Sequence, residues 1–154
     1  MQIEFLADRP EFIPLLAEWH HHEWAYLRPG FSLADRIAML HERSGRHELP
    51  ITFVASSGAE LLGSAMLVAH DMETRPQYSP WLAGVFISPA HRRRGIGRAL
   101  SEHVMRVAAG LGFATLYLYT PSAQDFYSRL GWSILERAHY RDTDVTVMSH
   151  TQVT

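Results

Sequence analysis

The run Arg92-Arg93-Arg94-Gly95-Ile96-Gly97-Arg98 puts four guanidinium groups around two residues that have no side chain, a combination suited to gripping a diphosphate. Glycine lacks a Cβ, so an anionic oxygen can come within hydrogen-bonding distance of the main chain, and the backbone can take angles closed to other residues. A helix opening at Ile96 adds to this, because its first N–H groups have no intrahelical acceptor and carry the positive end of the helix dipole. Gly-x-Gly by itself fits a tight turn with a solvated basic face equally well. Two nucleotide-binding alternatives fail on residue type. A dinucleotide fold asks for a third glycine where Leu100 stands, and a Walker A loop asks for a lysine, of which the chain has none.

The flanking elements fit the anion reading. Leu82 to Ile87 is an apolar run that reads as a buried strand, and Pro89 ends it by removing a ladder donor. From Ile96 the apolar positions Ile96, Leu100, Val104, Val107 and Leu111 recur at helical spacing until Gly110 and Gly112, with Glu102 and Arg106 as an exposed i,i+4 pair. Ala114 to Tyr119 is a second strand. One helix after the first, it should lie parallel to it through a right-handed crossover, and a pair splaying after Ile87 and Tyr119 would leave a cleft at the carboxyl ends.

Arg92-x-x-Gly95-x-Gly97 after a strand ending Ile87-x-Pro89 resembles the cofactor motif of the GNAT superfamily, the acyl-CoA-dependent N-acetyltransferases. Phe126-Tyr127-x-x-x-Gly131-Trp132 resembles that family's second motif, and together with the element order βααβββαβαββ the likeness spans essentially the whole chain. The implied fold is α/β with a mixed, mostly antiparallel central sheet and a splayed parallel pair at the cofactor site. Two features depart from the commonest pattern. Thr120 stands where an Asn often helps hold the pantetheine arm, and the loop before the short helix Pro121 to Leu130 is a few residues shorter.

The resemblance implies acetyl-CoA as cosubstrate. Its pantetheine arm would pair with main chain near Phe86 and Ile87, and its pyrophosphate would rest on Arg92, Arg93, Arg94, Gly95, Ile96, Gly97 and Arg98. It also implies direct attack by a primary amine of a small molecule or peptide, through a tetrahedral oxyanion held by a main-chain N–H near Ile87, with no metal. A phenol with a pKa of about 10 can protonate a thiolate whose acid lies near 8.5, which makes Tyr127 the candidate general acid. No motif names the base or the acceptor contacts. Glu23, His70 and Asp71 are the carboxylate and imidazole candidates for the base; with Trp24 and Tyr26 they are also the candidate acceptor contacts. Tyr119 occupies a strand position where some members carry a catalytic Glu. The alternative is a CoA-binding sensor or interaction module with the same fold and no chemistry.

Composition bounds the remainder. The 154 residues, 47% of them hydrophobic, suit one domain over 1–154. No apolar stretch reaches the length of a membrane span, and the N-terminus lacks the regions of a signal peptide, so a soluble, cytoplasmic protein is expected. With no cysteine there is no disulfide, thiolate metal site or cysteine nucleophile. A net charge of −2 gives no global pull on nucleic acid, and all 14 basic residues are arginines, each a fixed, fork-shaped donor. A monomer or a homodimer is compatible with this.

Earlier in the chain, Ile3 to Leu6 reads as a strand and a helix begins near Glu11, with Phe12, Leu15, Leu16 and Trp19 on its core face. His20-His21-His22 points three ways on a helix and cannot converge on one ion. Ser32 with Asp35 forms a capping box for a helix to Arg43 whose inner face is Leu33, Ile37 and Leu40. Ile51 to Ala55 and Leu61 to Ala69 form a hairpin around Gly58, His70 to Pro80 is a polar loop, and Trp132 to Leu135 and Asp144 to Met148 close the fold as strands. The loops His70 to Pro80 and Ala138 to Asp144, with the first two helices, would frame the acceptor groove.

Overall fold

A computed structural model describes residues 1–152. Seven strands form one sheet: β1 Gln2–Phe5, β2 Ile51–Ser57, β3 Glu60–Val68, β4 Trp81–Ile87, β5 Thr115–Thr120, β6 Ser133–Tyr140 and β7 Thr143–Thr151. Their order is β1-β2-β3-β4-β5-β7-β6, and every neighbouring pair is antiparallel except β4 with β5. The helices α1 Ile13–Trp24 and α2 Leu33–Glu42 cover one face, and α3 Ile96–Gly110 and α4 Gln124–Arg129 the other.

Alternation along the strands divides the core. Val54, Met66, Trp81 and Val147 pack beneath α1 and α2 with Leu16 and Leu40, while Phe53, Leu67, Leu118 and Met148 pack beneath α3 with Leu100 and Val104. Because both faces are covered, β2 is buried from Ile51 to Ser56 and β3 from Leu61 to Val68 without alternation. No helix among the described residues is long and apolar enough to cross a membrane.

The helix faces depart from the periodicity. On α1 the inward residues are Ile13, Leu16, Ala17 and His20, and Leu15 is 41% exposed. A single-turn 3-10 segment over Pro10–Phe12 precedes the helix and rotates its register. On α2, Leu33 lies at the surface and Arg36 is buried. On α3, Ser101 and Ala108 are buried, Leu111 is exposed, and Glu102 pairs with Arg98 at 2.6 Å instead of with Arg106. The Ser32 box is closed as expected: Ser32 Oγ accepts the Asp35 N–H at 3.0 Å, and the Asp35 carboxylate accepts the Ser32 N–H at 2.9 Å. Ser32→Ala should lower the melting temperature by about 2–4 °C, read by thermal unfolding, because one orphan donor loses its acceptor.

The last two strands run further than expected. β6 extends to Tyr140 and β7 begins at Thr143, so no open loop spans Ala138 to Asp144. Arg141 and Asp142 alone make the turn, with φ of 50° and 59°, the backbone of a tight two-residue hairpin.

Candidate active site

The parallel pair separates early. Trp81 opposite Tyr117 is the one register pair between β4 and β5, so the fork opens there and not after Ile87 and Tyr119. Trp81 is fully buried, with its indole N–H donated to the Tyr78 carbonyl at 2.7 Å, and it pins the base of the fork. Just beyond it, a bulge sets Gly84 and Val85 of β4 against Ala65 of β3. Gly84 has a φ of +58°, which favours glycine, and a Cβ there would come within 2.8 Å of Met66 Sδ and force that side chain to shift.

A buried polar chain holds the bulge from α1. The Ser64 hydroxyl donates to the Gly84 carbonyl at 2.8 Å, and His20 Nε2 lies 2.9 Å from the same oxygen of Ser64. With the hydroxyl proton committed to Gly84, Nε2 must carry the imidazole hydrogen. Burial, reinforced by the charges of Arg36 and Arg43, pushes His20 down to about 3, so the ring stays neutral. The histidine run thus fans out, with His20 on Ser64, His21 Nδ1 accepting from Arg36 Nε at 3.2 Å, and His22 exposed. Among the described residues no three His, Asp or Glu side chains group as metal ligands.

The fork opens into a cleft of about 380 Å³. Its walls are Leu82–Val85 and Leu118–Ala123, and α1, α2 and the segment between them close it from above. Of the residues singled out from sequence, Glu23, Trp24, Tyr26, Asp71 and Tyr127 line this cleft, and His70 is exposed outside it. Arg28, Phe31, Arg36, Arg43 and Arg141 also line it and were not anticipated. Arg36 carried a signal, being placed four residues before the core residue Leu40 on α2.

Tyr127 is buried on α4 between Phe126 and Trp132, at ring distances of 5.0 and 6.1 Å, and borders the cleft. Burial pushes its phenol up to about 12, offset in part by the neighbouring Ser101 hydroxyl. Asp71 is half-buried; desolvation raises its carboxyl to about 7 although the guanidiniums of Arg43 and Arg141 pull the other way. Burial, with the charge of Asp71 next, likewise raises the Tyr119 phenol. Thr120 is spent inside the protein. Its Oγ1 accepts the N–H groups of Ala123 at 2.9 Å and Ser122 at 3.4 Å, so α4 starts only at Gln124, later than the expected Pro121.

At the carboxyl end of β4, the loop into α3 lies beside the cleft without lining it. No main-chain N–H from Arg93 to Arg98 has an acceptor among the described residues, and Arg93, Arg94 and Gly95 are exposed. Gly95 sits in the left-handed region at φ +78° and Arg93 at +64°. A Cβ on Gly97 would meet Ile87 Cγ1 and Phe126 Cζ at 3.6 Å, ordinary contacts, so this glycine keeps the approach open rather than avoiding a clash. The four arginines are not equivalent. Arg92 turns back, donating from Nε to the Ile87 carbonyl at 3.0 Å with its guanidinium 5.5 Å from the Phe86 ring, and Arg98 is held by Glu102. The Ile87 carbonyl is therefore already engaged. Phe86 points its ring at Trp19 and Trp24, 5.7 and 6.1 Å away, as a core residue.

Comparison with known proteins agrees with this geometry. The family model described as Acetyltransferase (GNAT) family matches residues 16–132. Among solved structures, the chain superposes on an aminoglycoside 6'-N-acetyltransferase complexed with coenzyme A at a TM-score of 0.74 and 19% identity, covering 98% of this chain and 97% of that one. A ribosomal-protein-alanine N-acetyltransferase from Brucella melitensis gives 0.75 and 16%, covering 99% and 100%. An acetyltransferase from Streptococcus agalactiae gives 0.73 and 19%, covering 98% of each. At these identities the structures speak to the fold. Sequence comparison with curated proteins finds no match.

Proposed function

The chain belongs to the GNAT acetyltransferase family, and from that premise we propose that it transfers an acetyl group from acetyl-CoA to a primary amine of a small molecule or peptide, within one N-acetyltransferase domain spanning residues 1–154. The observation that carries the reading is the placement of the fork. A run of main-chain N–H groups with no acceptor among the described residues opens α3 beside a cleft that a buried phenol and a carboxyl of raised pKa both line.

The residues present fit the donor molecule. Exposed amides and the free guanidiniums of Arg93 and Arg94 suit a diphosphate, and the apolar walls of the fork suit an extended arm laid along β4. Acetyl-CoA supplies an activated thioester carbonyl. Asp71 receives the proton of the acceptor ammonium, which frees the nitrogen lone pair for attack. As the C–N bond forms, charge grows on the carbonyl oxygen, and a main-chain N–H at the Gly84-Val85 bulge, where the regular ladder is interrupted beside the cleft, is suited to hold it. As the C–S bond breaks, the Tyr127 hydroxyl donates a hydrogen bond to the departing sulfur. The second proton lost from the acylated nitrogen reaches that sulfur through solvent, so that CoA leaves as the thiol, and Asp71 gives up the proton it took to solvent.

The test is thiol release from acetyl-CoA by the full chain against a panel of primary amines, with product mass confirming one acetyl group added at nitrogen. Turnover above background with any amine is expected. Tight CoA binding without turnover would instead favour a binding module, and preferential binding of ADP or NAD would remove the acetyl-CoA reading.

A further inference from the structure

Four arginines line the cleft, Arg28, Arg36, Arg43 and Arg141, against two carboxylates, Glu23 and Asp71. In a protein of net charge −2 this is a local reversal of sign. Among the described residues Arg9, Arg46, Arg75 and Arg98, outside the cleft, each find a carboxylate. Arg141 reaches Glu73 at 2.7 Å, but Arg28, Arg36 and Arg43 have no carboxylate partner among the described residues.

Arg36 is the most telling of them. It is only 5% exposed, yet its one hydrogen bond runs from Nε to His21, and its two terminal nitrogens have no acceptor among the described residues. Those nitrogens open onto the cleft, and the planar fork they form is shaped to give two parallel N–H donors to a carboxylate or phosphate. Both guanidiniums gather at the Phe31 ring, Arg28 at 3.9 Å and Arg36 at 5.3 Å from its centroid, close enough that the charge of Arg28 acts on Arg36. Two guanidiniums lining one cleft, with no carboxylate partner among the described residues, suit an anionic group.

We propose that the acceptor is an amine that also carries an anionic group, a carboxylate or a phosphate, with that group held by Arg36 and assisted by Arg28, and its ammonium directed to Asp71. The proposal rests on the acetyltransferase reading and refines it by naming the acceptor's charge. Trp24, Leu27 and Met39 supply the apolar surface between the two poles. A polycationic amine meets four fixed positive charges and is disfavoured.

The experiment measures binding, so that its outcome is separate from turnover. The full chain, saturated with CoA, is titrated by calorimetry with the twenty standard amino acids and their methyl esters, with 2-aminoethylphosphonate and ethanolamine as the phosphate-type pair, and with kanamycin. At least one anionic amine should bind at least tenfold more tightly than its masked counterpart. Which pair shows the preference tells carboxylate from phosphate. Arg36→Gln should reduce that preference about tenfold without altering CoA affinity, and Arg28→Gln, at an exposed position, should reduce it less. Equal binding of masked and anionic forms across every pair, or tightest binding of kanamycin, would overturn the proposal. So would an Arg36→Gln variant, folded by circular dichroism, that kept the full preference. Absence of acetyl transfer to every amine would count against the proposed activity and leave the binding result to decide this one.

Discussion

Replacing Tyr127 by Phe should lower kcat for acetyl transfer about 100-fold while the KM for acetyl-CoA stays within about twofold. The phenol borders the fork, and the ring contributes to a packed aromatic group with Phe126 and Trp132 that phenylalanine preserves. Only the hydroxyl is lost. Held up at about 12 by burial, it stays protonated at every working pH, so a donor is always present. The same shift makes it a reluctant acid. Complete transfer to a thiolate whose acid lies near 8.5 is uphill, so its contribution is a hydrogen bond that strengthens as charge reaches the sulfur. The alkaline side of the rate profile should therefore show no fall up to about pH 10, which steady-state rates across pH would check. An unchanged kcat in a folded Tyr127→Phe variant would remove the residue from the mechanism.

Asp71→Asn should cost about 100-fold in kcat/KM at pH 8 and flatten the acid limb of the profile. In the parent protein that limb should be centred near pH 7, because the carboxyl titrates at about 7 and works only when ionised. The groups facing it are Arg43, Arg141 and Tyr119, whose charges are fixed or absent below pH 10, so the limb should follow a single proton. Stability should move the opposite way. The folded-state value lies above the unfolded value of about 3.9, so the fold holds the extra proton between them, and stability is lost as pH rises through that window. Above pH 7 the whole cost of an ionised, half-buried carboxylate is present. Asparagine avoids it, so the variant should be more stable than the parent by about 1–2 kcal/mol at pH 8, a value discounted for the cleft's access to water. Below about pH 4 the two should melt alike. A variant that lost activity and stability together would indicate a structural carboxyl instead of a base.

Element order and the parallel crossover were legible because both depend on local pattern: apolar runs of strand length, a helix with a regular apolar stripe, and glycine or proline at their ends. The loop at Gly95 and Gly97 could be placed for the same reason, at the opening of such a helix, whereas Tyr127 was singled out through its likeness to the family's second motif. What periodicity could not reveal was where partners meet. Leu15 has the spacing of a core residue yet faces water, because the 3-10 turn at Pro10–Phe12 sets the rotation of α1. Arg36 occupies an apolar-face position that charge would ordinarily exclude, and only the folded packing of α1 on α2 creates the polar cavity that keeps it. Ser64 and Gly84 look like ordinary strand residues, 20 positions apart, until His20 joins them. Thr120 departs from the family habit, and its turn-forming hydroxyl accounts for the delayed start of α4.

The left-handed glycine at the bend of β4, tied through Ser64 to a neutral imidazole, has a consequence for how the protein evolves and responds. Its shape is wired to the inner helix layer and owes nothing to the loops at the rim, so the gap between the two strands stands ready before any guest arrives. The rim can then be rewritten, residue by residue, to admit different acceptors while the donor's berth is left alone.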